Sequence, residues 1–142
     1  INRKTGKVMW KFGKNGDFKM DTTYSFSFQH TAHTNSDGDL MLMDNSLFRK
    51  ESRGLSFALD TVSWTATNKI CAPLPTNKYT SRMGSSYLLP NGNLLQTSAK
   101  TGTVLVTSSA GENVHWELNS FYVPYRAEYV PADTWKKFFI KE

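Results

Sequence analysis

The 142-residue chain has the length of one domain, and its 39% apolar and 13% aromatic content is that of a globular sequence able to fill a core. Its formal charge of +5 is spread over Lys and Arg residues that never form a run of five or six, which argues against a nucleic-acid footprint and favours a small anionic ligand or mild surface basicity. The lone cysteine, Cys71, excludes an internal disulfide and a cysteine-rich zinc site, and no apolar run nears the roughly 18 residues of a membrane span.

In chain order, the first recognisable pieces are Lys4-Thr5-Gly6 and Val8-Met9-Trp10. The tripeptide Val-x-Trp returns as Val62-Ser63-Trp64 and Val114-His115-Trp116, with its tryptophans 54 and then 52 residues apart. Asp37-Gly38-Asp39-Leu40 and Asn91-Gly92-Asn93-Leu94 recur in the same phase, and Lys-Thr-Gly reopens at Lys100. Asp-Gly and Asn-Gly between apolar runs signal hairpins, because these residues tolerate positive φ. The first full unit predicts strands near 25–31, 38–44, 54–60 and 61–68, and the second near 83–89, 92–98, 102–107 and 112–118. Each Val-x-Trp falls in the outermost strand of its unit, where the tryptophan is expected to fill the core.

Pro124 to Val130 is expected to open a further unit. Residues 132–142, with no glycine, read as a tail or short helix that Asp133 can cap. Four-stranded units at this period predict an all-β fold, a β-propeller of four-stranded antiparallel blades. Because propellers close with about four to eight blades, residues 1–131 are expected to be a fragment of about two and a half blades. The chain opens on Ile1, so further sequence is expected upstream; no signal peptide is visible in it.

Gln29-His30-Thr31-Ala32-His33 precedes the Asp37-Gly38-Asp39 turn. Strict strand alternation sends His30 and His33 to opposite faces, and only a bend or bulge would let both converge. Two diverging histidines with turn aspartates make no metal site.

Several stretches, in order, resemble the arylsulfate sulfotransferases: Gln29-His30-Thr31-Ala32; Asp44-Asn45 with Arg49; Ser52-Arg53 with Phe57, Leu59 and Asp60; Pro90-Asn91-Gly92-Asn93; and Tyr125-Arg126-Ala127. The resemblance implies a six-bladed propeller that moves a sulfuryl group from an aryl sulfate to a phenol. It implies no nucleotide sulfate donor, no cofactor and no metal, and a periplasmic or secreted location. It places His30 and Arg49 in the anion pocket on the propeller axis, as catalytic residues, with Arg126, Tyr125 and His33 beside the substrate. Gln29, Asp44, Asn45 and Arg53 are implied as support, Asp44 and Asn45 through side-chain to backbone bonds in the turn that presents Arg49.

The family's nucleophilic histidine directly precedes the Tyr-Arg pair, and here that position is Pro124. His30 or His33 then takes the role, or a residue beyond this sequence does, or the protein is a catalytically silent propeller that binds a ligand or partner protein. The implied partners are an aryl sulfate, a phenol and the remaining blades, with no nucleic acid and no membrane span.

Overall fold

The computed structural model describes residues 1–139. Its eight strands form two four-stranded antiparallel sheets. The first runs in the order β1 (His30–Thr34), β2 (Leu40–Asp44), β3 (Arg53–Asp60), β4 (Thr65–Pro73). The second follows as β5 (Ser85–Leu88), β6 (Leu94–Ser98), β7 (Thr103–Thr107), β8 (Val114–Asn119). Within each sheet sequential strands pair, which is the expected all-β construction of successive propeller blades. A helix, α1 (Ala132–Phe139), closes the described chain with Asp133 in its first turn; residues 140–142 of the expected tail lie outside the described residues.

The repeated turns fold alike. In the β1–β2 turn Gly38 takes φ +87°, and Asn35 Oδ1 accepts from the backbone N–H groups of Asp37 and Asp39 at 3.0 and 2.9 Å. In the β5–β6 turn Gly92 takes φ +82°, and Asn91 Oδ1 accepts from Asn93 N–H at 3.1 Å. An Asx side chain bonding its own backbone two residues on is the physical content of the sequence signal.

Four expectations need correction. The first strand begins at His30, not near residue 25, because the backbone of 25–27 bonds to side chains: Ser25 C=O accepts from Arg49 and Arg53, and Ser27 N–H donates to Asp44. The fourth strand starts at Thr65, because Asp60 captures the N–H groups of Val62 and Ser63 and holds residues 61–64 as a turn, with Trp64 at φ +54°. Trp64 is therefore 39% exposed, though its ring still packs on core Phe18 with centroids 5.3 Å apart, and Trp116, on the outermost β8, is 50% exposed; Trp10 packs against the same cluster. Residues 124–130 form no strand, since one main-chain bond, Gly84 N–H to Tyr125 C=O, joins them to the sheet side and no ladder forms.

Leu40-Met41-Leu42-Met43 is a continuous apolar run because β2 is buried on both faces. Leu42 packs with Phe18, Leu55, Phe57 and Ala66 beneath the N-terminal segment. Met41 and Met43 point the other way, into clusters with Ala72 and Leu94 and with Leu74 and Leu105, so they fill the seam between the sheets. Gly54 permits this approach: a Cβ there would overlap Ser86 and come 2.9 Å from Gln96 Nε2. Polar bonds fix the seam, with Asn45 Nδ2 donating to Met83 C=O at 2.7 Å, Thr31 Oγ1 to Gly84 C=O at 2.9 Å and Gln96 Nε2 to Ala72 C=O at 3.1 Å.

Candidate functional site

The densest polar network lies at the end of the first sheet where β2 turns into β3. Asp44 is fully buried, and its Oδ2 accepts from Arg49 Nη2 at 2.6 Å and from Arg53 Nε at 3.0 Å. Its Oδ1 accepts from Ser27 N–H at 3.0 Å. Both arginines also donate to Ser25 C=O, at 2.8 and 2.9 Å. Arg53 is almost enclosed, with 7% of its side chain exposed, and also reaches Thr23 C=O. Arg49 leaves 31% of its side chain in solvent. One buried carboxylate thus bonds two cations, Glu51 Oε1 lies a further 3.7 Å from Arg53 Nε, and Arg49 is the outer, more exposed arginine.

Asp44 acts on Arg49 through charge, and the turn is closed by Ser46. The Ser46 hydroxyl accepts from Arg49 N–H at 3.1 Å, and its carbonyl accepts from Lys50 N–H at 2.9 Å. Asn45, fully buried, reaches the second sheet instead of the turn. The expected turn-fixing backbone bonds thus belong to Ser46, a residue whose role the sequence did not flag.

β1 carries a bulge. His30 pairs with Met43 and His33 with Met41, so three steps on β1 match two on β2, and Thr31 adopts φ +52° to absorb the extra residue. Met41 and Met43 share a face of β2, and cross-strand partners do too, so His30 and His33 lie on the same face. The expected divergence of the pair is therefore overturned.

His33 Nδ1 is 2.9 Å from Thr31 C=O. A carbonyl only accepts, so Nδ1 bears the proton and the neutral ring keeps its lone pair on Nε2. The His33 ring packs on Tyr87 with centroids 4.6 Å apart and planes at 33°. Tyr87 is the residue 54 positions on, the same place in the next repeat. Its hydroxyl donates to Glu128 Oε1 at 3.1 Å, and Glu128 pairs with Arg126 Nε at 2.9 Å. Burial first, then the Glu128 carboxylate, pushes the Tyr87 phenol above its ordinary range. The sequence reading missed Tyr87 and Glu128, although the repeat spacing would have paired Tyr87 with His33.

The other named residues are dispersed. The His30 ring makes no hydrogen bond among the described residues and sits one ladder step before Asp44, through its Met43 partner. Gln29 precedes it and is exposed. Tyr125 is 57% exposed, and half of the Arg126 side chain is exposed where it pairs with Glu128. Pro124 lies in the irregular segment before them.

Two clefts of about 360 Å³ open beside Arg49. One is lined by Arg49, Lys50, Glu51, Ser52, the Pro73-Leu74-Pro75-Thr76 run and Tyr79. The other is lined by Arg49, Lys14, Ser27, Phe26 and Phe48. His30 lines neither. Among the described residues no three metal-ligating side chains converge.

The family model Arylsulfotransferase (ASST) matches residues 1–120. The chain belongs to the arylsulfotransferase family. That match spans both sheets, His30, Arg49 and Arg53, and it ends short of Pro124, Tyr125 and Arg126. No curated protein and no solved structure matches the chain. Within an arylsulfotransferase, the Asp44-bound arginine pair at the blade end is the arrangement here best suited to an anion, because a guanidinium held in place presents a planar fork to two oxygens.

Proposed function

We propose that this arylsulfotransferase-family protein binds an aryl sulfate through Arg49 and transfers its sulfuryl group to a phenol, with His30 assisting. The observation that supports this is the unequal division of Asp44 between two arginines. Arg53 is buried and immobile, whereas Arg49 is anchored by one nitrogen and keeps Nε and Nη1 free of hydrogen bonds among the described residues.

In sulfuryl transfer, as in phosphoryl transfer, charge spreads over the non-bridging oxygens while the entering and leaving groups stand in line. A pre-positioned cation stabilises that charge without reorganisation. His30, which lines neither cleft beside Arg49, takes from the family resemblance the role of proton donor to the departing phenolate. Where a covalent intermediate forms, His33 Nε2 has the required lone pair: a nitrogen–sulfur bond forms as the sulfur–oxygen ester bond breaks. The phenolate leaves with the proton from His30; the acceptor phenol then returns a proton to His30 as its oxygen bonds to sulfur and the nitrogen–sulfur bond breaks, restoring His33. The remaining blades come from further sequence, and the location is periplasmic or secreted; no described helix is long and apolar enough to cross a membrane.

A second reading, a catalytically silent propeller that binds a ligand or partner protein, draws on Pro124 at the position of the family's nucleophile. Incubation with 4-nitrophenyl sulfate and phenol separates the two. Release of 4-nitrophenol with formation of phenyl sulfate, reduced at least about a hundredfold by Arg49→Ala, is the result expected for transfer. Neither product from the wild-type protein would leave the binding module.

A further inference from the structure

The net charge of the chain is set by residues 1–19. They hold Arg3, Lys4, Lys7, Lys11, Lys14 and Lys19 against one acid, Asp17, a balance of +5. The remaining eleven cations and eleven acids cancel, so the whole formal charge lies in this one segment, although no unbroken run of cations marks it. All six cations are exposed, and none makes an ion pair among the described residues.

Packing fixes the segment in place. Trp10 and Phe12 turn inward and meet Phe18 edge-on, with ring centroids 5.3 and 5.8 Å apart, in the cluster around Leu42, Leu55 and Phe57. Alternation along this extended stretch leaves Met9 and Lys11 facing outward. Two closed turns present further cations. Asn2 N–H donates to Lys7 C=O at 2.9 Å and Gly6 N–H to Asn2 C=O at 2.8 Å, so Arg3 and Lys4 stand on a fixed turn. Lys11 N–H donates to Asp17 Oδ2 at 2.6 Å and Asp17 N–H to Lys11 C=O at 2.8 Å, which closes the loop carrying Lys14 and directs one oxygen of the segment's only acid at backbone. Lys19 exchanges main-chain bonds with Trp64 and Ala66.

Apolar side chains project among these cations. Val8 and Met9 are each more than half exposed. Lys14 lines a cleft with Phe48, which is 96% exposed on the β2–β3 loop. That loop adds Lys50 and one acid, Glu51, whose Oε1 lies 3.7 Å from Arg53 Nε. The mixture fits an anionic lipid surface better than nucleic acid. Exposed Val8 and Met9 gain nothing from a phosphate backbone, but they leave water on entering the headgroup region. Five of the six cations are lysines, compact point charges suited to the diffuse field of a membrane, whereas base and phosphate recognition favours the arginine fork.

We propose that residues 1–19, together with Phe48, form a surface that docks on anionic membranes. The cations meet acidic headgroups while Val8, Met9 and Phe48 enter the interface. This surface is independent of the sulfuryl-transfer reading and stands without it.

Flotation of the full chain with vesicles of equal parts phosphatidylglycerol and phosphatidylcholine, against vesicles of phosphatidylcholine alone, is the test. Binding is expected to the anionic vesicles only and falls as salt is raised, because the attraction is screened. Each lysine near such a surface adds roughly fivefold in affinity, so Lys4→Gln combined with Lys7→Gln is expected to weaken binding about 25-fold. Lys69→Gln combined with Lys100→Gln makes the same charge change at exposed lysines elsewhere and is expected to leave binding within about twofold. Phe48→Ala is expected to weaken it about tenfold. Circular dichroism checks that each variant is folded. An equal loss from the Lys69 and Lys100 pair would show net charge acting and would overturn the localised surface. Unchanged binding in Phe48→Ala would overturn apolar insertion. No binding to anionic vesicles, or displacement from them by a mixed-sequence DNA duplex that binds more tightly, would overturn membrane docking.

Discussion

Replacing Asp44 with Asn keeps the size of the side chain and removes its charge, leaving one neutral acceptor for two guanidinium groups. Removing one partner from a buried ion pair costs about 3–5 kcal/mol, because the other charge is left uncompensated. Two features place this case near 3 kcal/mol, the low end of that range. Arg53, with 7% of its side chain exposed, still has Ser25 and Thr23 carbonyls to bond, and Glu51 lies 3.7 Å away. Arg49, 31% exposed, is largely served by solvent and adds little. For a domain of this size about 3 kcal/mol corresponds to a fall of roughly 10 °C in melting temperature. In urea it corresponds to a midpoint lowered by about 1–2 M. Circular dichroism during urea unfolding measures it, with Asp37→Asn, an exposed turn position, as a control expected to stay within about 0.5 kcal/mol. A loss under about 1 kcal/mol in Asp44→Asn would show that the carboxylate behaves as a surface pair and would refute the two-cation clamp.

Gly54→Ala forces a methyl group into Ser86 across the seam between the sheets, at a cost of about 1–3 kcal/mol from overpacking; an unchanged unfolding midpoint would show that the seam is loose. Tyr79→Phe removes a shielded hydroxyl that lacks a partner and is expected to leave stability equal or raise it by about 1 kcal/mol, while a clear loss would reveal a bond to that hydroxyl. The Tyr87 phenol, raised by burial and by Glu128, favours its neutral form when folded. Its contribution to stability is therefore complete below the ordinary tyrosine value of about 10 and is lost as pH rises through the higher folded value. Ultraviolet titration, with Tyr87→Phe subtracted, should show the transition move downward in Glu128→Gln, and no movement would break that link. Trp116 and Leu118, 50% and 49% exposed on β8, should make the isolated chain self-associate; size-exclusion chromatography of Trp116→Lys should show a more monomeric species, and an unchanged profile would place the sticky surface elsewhere.

The blades were legible because their signals are local. Asp-Gly and Asn-Gly fix turns through nearby backbone, and the 54-residue phase of the second turn follows from one blade being built like the other. Strand limits failed wherever a distant side chain captured the backbone first. Arg49 and Arg53, some 25 residues further on, take the Ser25 carbonyl out of any ladder, and no window around Ser25 shows that. The β1 bulge was invisible for a related reason. His-Thr-Ala-His fits plain alternation, and only the register against Met41 and Met43 reveals the extra residue. Arg49, Asp44 and Arg53 could be named from motif order, but that they share one carboxylate is a fact of three dimensions.

The two sheets are close to a controlled comparison of scaffold against site. Asp44 pairs with Arg53 across the β2–β3 end of the first sheet, and the corresponding pair in the second is Ser98 with Thr103. Where the first sheet has charges, the second has hydroxyls: Thr101 Oγ1 donates to Ser98 Oγ at 2.8 Å and lies 3.0 Å from Thr103 Oγ1. The connecting loop is residues 45–52 in the first sheet and only 99–102 in the second, so four extra residues accompany the charged pair. The four-residue turn closes on itself through Gly102 N–H to Ala99 C=O, and its one long side chain, Lys100, is exposed. The eight-residue loop reaches outward, carries Arg49 and Lys50 to the wall of Pro73 and Pro75, and needs a buried carboxylate to hold it there. The repeat alone therefore does not make the Asp44–Arg49–Arg53 network. The arrangement proposed to hold an anion occurs in one blade, with a longer loop and the buried Asp44, on a frame that both blades share.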